Sequence, residues 1–143
     1  LDVNSKEAKE MFETVTKKLL NSYGLKSLAK GEENYIEIYE GDGFRRDFSY
    51  HQGITWTWLL GLYYNSLKKL VEASKTKTEK EEYEKRLEKF INDVTKTFSK
   101  EIEERGCIGS ISELYDSKKP NLPKGAVAQA WSVAEVFRII MKR

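Results

Sequence analysis

Residues 39–64 read Tyr39-Glu-Gly-Asp-Gly-Phe-Arg-Arg-Asp-Phe-Ser-Tyr50-His-Gln-Gly-Ile-Thr-Trp56-Thr-Trp58-Leu-Leu-Gly-Leu-Tyr-Tyr64. The stretch holds the only histidine and two of the three tryptophans, and from Phe48 to Leu67 no residue carries a formal charge. In a chain that is 34% charged, twenty uncharged residues beside a knot of Asp, Arg, His and Gln call for either a buried helix or a polar, aromatic-lined pocket. The length of the run matches a membrane span. Ser49, His51, Gln52, Thr55, Thr57, Asn65 and Ser66 make it too polar for hydrocarbon. We expect a helix from Gly53 to about Ala73, apolar most of the way round and therefore buried, with Trp56, Leu59, Leu60, Tyr63, Tyr64, Leu67 and Val71 on its core side.

On either side the pattern changes. Lys75–Arg105 carries 18 charges in 31 residues, yet Tyr83, Leu87, Phe90, Ile91, Val94, Phe98 and Ile102 keep helical spacing beneath them. This predicts an outer helix with one buried stripe, its start capped by Thr76 with Glu79 or Thr78 with Glu81. Asn4–Asn21 predicts another helix, with Ala8, Met11, Phe12, Val15, Leu19 and Leu20 as its stripe, Asn4 and Glu7 as a capping box, and Gly24 as the stop. Ala126–Met141 predicts a fourth, packed through Val127, Ala130, Trp131, Ala134, Phe137 and Met141. Residues 22–50 are punctuated by glycines and read as non-helical, with a short strand at Tyr35–Tyr39. Residues 106–125, which hold both prolines, read as a second irregular segment. The expected fold is all-α: one domain over 1–143, with four main helices joined by long loops, inner apolar helices alternating with outer charged ones.

Composition narrows the partners. With 25 basic and 23 acidic side chains the net charge is +2, too weak a field for nucleic acid or anionic membranes. The single cysteine, Cys107, excludes an internal disulfide and suits a reducing, cytoplasmic setting. Neither metal nor cofactor is called for by these residues. Phosphate loops, dinucleotide fingerprints, nucleophile elbows and His-Glu-x-x-His are absent. Cys107 with His51 as nucleophile and base has only their presence to support it, and a small structural cysteine is the better reading. The carboxylate that stands out is Glu113, alone among Gly109, Ser110, Ile111, Ser112, Leu114 and Tyr115. Such a group is either satisfied by structural hydrogen bonds or functional.

Five strings then stand in order: Gly24-Leu25-Lys26-Ser27-Leu28; Tyr39-Glu40-Gly41-Asp42; Arg46-Asp47-x-x-Tyr50-His51-Gln52-Gly53-x-x-Trp56-x-Trp58-Leu59-x-Gly61; Gly106-Cys107-x-Gly109-Ser110-x-Ser112-Glu113; and Ala128 through Val136. Together, over residues 22–141, they resemble the C-terminal catalytic region of glycogen debranching enzymes, the amylo-α-1,6-glucosidase family. The resemblance implies an (α/α)6 toroid of which this chain is the last third. It also implies inverting hydrolysis of the α-1,6-linked glucose stub on glycogen. By that resemblance Glu113 is the base that activates water. Trp56, Trp58 and Trp131 are sugar platforms, Tyr50, His51, Gln52 and Gln129 bind hydroxyls, and Asp42, Arg46 and Asp47 are sugar ligands or loop braces. The family's general acid lies upstream of the matching strings, so the chain is expected to be inactive alone and to have the remainder of the glucosidase domain as its partner. Its inner apolar helix would otherwise invite self-association. Two departures are Thr57, where the family usually has proline, and Lys26, where it usually has arginine. Two alternatives remain: a non-catalytic helical module that binds α-glucan or protein, and a glucoamylase-like toroidal glucosidase.

Overall fold

Thr55 and Trp56 form the middle strand of a small antiparallel sheet that collects every part of the chain, in a computed structural model that describes residues 2–141. Ten elements run in the order α1 (Lys6–Lys18), β1 (Leu20–Asn21), β2 (Gly24–Lys26), α2 (Gly43–Ser49), β3 (Thr55–Trp56), α3 (Leu59–Ala73), α4 (Lys77–Glu104), β4 (Leu114–Tyr115), β5 (Pro123–Lys124) and α5 (Ala130–Ile140). The strands lie side by side in sequence order, with Leu25 opposite Trp56, Trp56 opposite Leu114, and Leu114 opposite Lys124. The all-α expectation is therefore corrected: the fold is helix-rich, with five helices among the described residues and a five-stranded sheet.

The sheet shortens the helix expected from Gly53. Gly53 has φ +123°, and a Cβ there would stand 2.5 Å from the Ile36 carbonyl oxygen, so the backbone is held extended against a crossing segment. Thr55 and Trp56 then pair as a strand, and α3 begins only at Leu59. Thr57 is buried and donates its hydroxyl to the Tyr23 carbonyl at 2.9 Å. A proline at this position could not make that bond.

Other boundaries also move. Ser5, not Asn4, caps α1, accepting from the Ala8 N–H. The helix stops at Leu19, and Gly24 sits in β2 rather than ending a helix. Residues 43–49, expected to be irregular, form the short helix α2 because the Asp42 carboxylate caps Arg45 N–H at 2.9 Å. Tyr35–Tyr39 joins no ladder; Ile36 N–H bonds the Gln52 carbonyl instead. The Thr76–Glu79 capping box forms as expected: Thr76 Oγ1 accepts from Glu79 N–H, and Glu79 Oε2 accepts from Lys75 N–H.

Two helix directions alternate. Trp58 meets Trp131, Gly61 abuts Glu135, and Asn65 bonds Arg138, so α3 and α5 run parallel. α4 turns back along α3, with Tyr63 and Phe90 rings 4.9 Å apart. α1 runs with α4 through the Lys9–Glu79 and Glu13–Arg86 ion pairs. Phe12, Leu60, Tyr63, Leu67, Phe90, Val94, Phe98, Val136 and Ile139 close the main core, and Ile54, Trp56 and Leu114 form a smaller one around the sheet. Neither α3 nor α5 is enclosed on all sides. Leu62, Asn65 and Ser66 of α3 face outward. On α5 the expected stripe of Trp131, Ala134, Phe137 and Met141, together with Val127 before it, is the exposed face, while Ser132, Val136 and Ile139 are buried. No helix of the described residues is long and apolar enough to cross a membrane.

Candidate active site

Glu113 leads into β4, where Leu114 and Tyr115 are fully buried and fix the direction of the backbone. Its N–H donates to the Ala126 carbonyl at 2.9 Å, and its Oε2 accepts the Ala126 N–H at 3.0 Å. The other oxygen, Oε1, accepts the Tyr50 hydroxyl in a short hydrogen bond. Each carboxylate oxygen thus has one protein donor, and lone pairs remain on each for a ligand or water. Between strand and donor lies Gly125, with φ +69°, where a Cβ would stand 2.5 Å from Glu113 Oε2. Only a residue without a side chain leaves the carboxylate in this place.

Tyr50 ends α2 and is held from three sides. Its carbonyl accepts Trp56 Nε1–H at 3.1 Å, its ring meets Trp56 edge-on at 4.6 Å, and Tyr39 packs at 5.9 Å. Burial, then the bond to Glu113 and the charge of that carboxylate, push the Tyr50 phenol well above its ordinary value, so it remains a donor at neutral pH. From Trp56 the aromatic surface continues: His51 stacks on it at 5.3 Å, Trp131 meets it at 6.4 Å, and Trp58 stacks on Trp131 at 5.8 Å. Trp56 is buried, but Trp131 is 46% exposed and offers an open ring face.

Glu113 and Tyr50 stand on an open cleft of about 730 Å³. The facing wall carries Tyr39, Glu40 and Gly41, the α2 side brings Arg46 and Asp47, and β5 with the turn after it adds Lys124, Gly125 and Ala126. Of the residues singled out in the sequence, Glu113, Tyr50, Arg46 and Asp47 meet here. His51 and Trp56 adjoin it through Tyr50, Trp131 follows on Trp56, and Trp58 stacks on Trp131 one ring further away. The side chains of two others make local structural bonds: Asp42 caps α2, and Gln129 Oε1 accepts the Ala130 N–H at 3.0 Å at the start of α5. The Gln52 backbone carbonyl accepts the Ile36 N–H at 2.6 Å, and Gln52 is not on the cleft lining. Lys26 lies over the Tyr35 ring, away from the cleft lining, and burial together with Lys30 lowers its ammonium pKa.

Sequence reasoning passed over Lys124, Gly125 and Ala126. Pro-Lys-Gly reads only as a turn, and a backbone N–H leaves no mark in a sequence. It also passed over Asp116, which is buried behind the same wall.

The arrangement is a fixed, partly shielded carboxylate facing a polar cleft beside stacked aromatic rings. It can accept a proton from a water or hydroxyl group and can bind a neutral polyhydroxyl ligand. The model of a protein family described as Amylo-alpha-1,6-glucosidase matches residues 2–138. No curated protein matches the chain.

Proposed function

The chain belongs to the amylo-α-1,6-glucosidase family, and on that premise we propose that it carries the base half of an inverting α-glucosidase site acting on the glucose stub of α-glucan branch points. Glu113 takes a proton from a water as that water attacks the anomeric carbon. A carboxylic acid on the other face of the sugar gives its proton to the departing 6-oxygen, so the released glucose has inverted configuration. Inverting hydrolysis sets the two carboxyl groups about 6.5–9.5 Å apart with water between them. The observation that carries this reading is the double anchoring of Glu113 by Tyr50 and by the Ala126 N–H at the edge of the cleft. A base whose oxygens are fixed needs no reorganisation when the proton moves.

The acid, in this reading, comes from the remainder of the glucosidase domain, and the chain alone releases no glucose. Glu40 and Asp47 are the other carboxylates on the cleft lining; both are exposed. The parallel run of α3 and α5, with α1 and α4 reversed outside them, supports the layering of an (α/α)6 toroid. Trp56, Trp58 and Trp131 supply the sugar-stacking face, with His51 and Arg46 at its rim. One free cysteine accords with work in the cytoplasm.

The test is glucose release from an α-1,6-glucosyl-branched oligosaccharide by the longest polypeptide that carries this chain. Glu113→Gln should lower the rate about a thousandfold or more, and the first glucose formed should be the β-anomer. Retention of most activity in Glu113→Gln would mean that the cleft binds glucan without cutting it. The 143-residue chain, titrated with the same oligosaccharide, should change its tryptophan fluorescence, because Trp56 touches Tyr50 and the other two tryptophans follow it in one chain of ring contacts.

A further inference from the structure

Asp116 is a buried carboxylate that the chemistry above does not use. It is 3% exposed, and burial raises its pKa, opposed by the Tyr39 N–H and by Lys124, while Glu40 adds to the rise. A buried carboxylate is costly to keep where an apolar residue would fill the same space. What it holds is therefore informative. Oδ1 accepts the Tyr39 N–H at 2.8 Å, and Oδ2 lies 3.7 Å from Lys124 Nζ. Its own N–H and C=O bond the Leu122 carbonyl at 3.0 Å and Asn121 Nδ2 at 2.9 Å, so the carboxylate has a fixed origin.

Each contact is the start of an arm that ends on Glu113. The Tyr39 ring packs on Tyr50, whose hydroxyl donates to Glu113 Oε1. Lys124 stands two residues before Ala126, whose N–H donates to Glu113 Oε2. The two arms come from segments separated by more than eighty residues. We propose that Asp116 is a positioning residue for Glu113, setting both of its hydrogen bonds through Tyr39 and Lys124. As a role in catalysis, this rests on the glucosidase reading. The geometry itself does not.

Ser117 and Lys118 also tie this wall, donating backbone N–H groups to the Glu37 carbonyl at 2.9 and 3.2 Å. Asp116→Ala should therefore leave the wall in place but loosely aimed. In the 143-residue chain, NMR reads the arms directly: the amide proton of Ala126, hydrogen-bonded to a carboxylate, should move upfield in Asp116→Ala, and so should that of Tyr39. The amides of Phe90 and Val94 in α4 should not move, as they would if the substitution had rearranged the fold more widely. Asp116→Asn, which keeps an acceptor at Oδ1, should restore Tyr39 but not Ala126, and Lys124→Met should move Ala126 alone. In the glucose-release assay Asp116→Ala should lower kcat at least tenfold with KM little changed.

An unmoved Ala126 resonance in folded Asp116→Ala overturns the proposal. If that variant does not fold, an unmoved Ala126 resonance in both Asp116→Asn and Lys124→Met does so. The resonances need no glucan. Moved resonances with a fully active Glu113→Gln overturn the assignment of Glu113 as the base alone, and unmoved ones with an inactive Glu113→Gln overturn the positioning role alone.

Discussion

The Tyr50 hydroxyl donates to Glu113 Oε1 across a sequence separation of 63 residues, joining the end of α2 to the entry of β4. Burial and the contact with Glu113 raise the Tyr50 phenol above its ordinary value, so it stays a donor to that carboxylate. Tyr50→Phe removes the hydroxyl and leaves the ring contacts with Trp56 and Tyr39. Stability should fall by about 1 kcal/mol, measured by urea unfolding. Glucose release should fall tenfold or more, and that assay separates a positioned base from a merely buried pair.

At Gly125 the demands of backbone and side chain coincide. A left-handed φ costs a residue with a Cβ about 1–2 kcal/mol, and the added carbon would stand 2.5 Å from Glu113 Oε2. Gly125→Ala should lower thermal stability by that amount and abolish the Ala126–Glu113 bond. The checks are calorimetry and the Ala126 amide resonance.

A second buried carboxylate holds structure rather than a site. Glu101 is 1% exposed; Tyr115 donates to its Oε1 at 3.0 Å, and its Oε2, without a hydrogen bond among the described residues, lies 3.5 Å from Arg105 Nη1. Arg105 also donates to the Tyr23 hydroxyl and to the Asn121 carbonyl at 2.8 Å. Arg105→Ala leaves a buried charge without its counter-ion and should cost about 3–5 kcal/mol. Arg105→Ala combined with Glu101→Gln should recover part of that loss in the same denaturant titration.

Five of the eight tyrosines (Tyr23, Tyr35, Tyr50, Tyr83 and Tyr115) have phenols raised above their ordinary value, with burial as the leading cause in each. The folded state then binds more protons than the unfolded one above pH about 10, so stability must fall as pH rises through that range. Tyrosinate absorbance at 295 nm should rise in one cooperative step together with loss of helical circular dichroism. Independent titration of these five near pH 10, with the helices intact, would contradict this.

What could be read in the sequence follows physical range. The α4 stripe and its Thr76–Glu79 cap depend on residues three or four apart and were legible. Glu113 stood out because its sequence neighbours from Gly109 to Tyr115 carry no charge. The sheet was not legible, because strands of two or three residues have no period to detect, and the two pairings of the middle strand reach across about 30 and about 60 positions. The packing face of α5 was misjudged for another reason. Val133, Val136, Ile139 and Ile140 make the opposite side apolar as well, so periodicity does not choose between Trp131–Phe137 and Val136–Ile139. The burial of Ser132 could not be foreseen from its type. Asp42 and Gln129, expected at a sugar site, sit at helix starts, where their side chains accept backbone N–H groups.

Since Leu25 pairs with Trp56 and Thr55 with Tyr115, the site exists only after two large loops have closed. Helices α1, α3 and α4 need no such closure, and their turns can form in microseconds. The closing of distant segments sets a slower clock. The order of assembly is thereby built in: scaffold first, cleft last. In stopped-flow refolding, far-ultraviolet ellipticity should lead and tryptophan emission, which reports Trp56, Trp58 and Trp131, should trail it. A nascent or partly unfolded chain would then hold most of its helices while the Glu113 carboxylate still has neither of its partners.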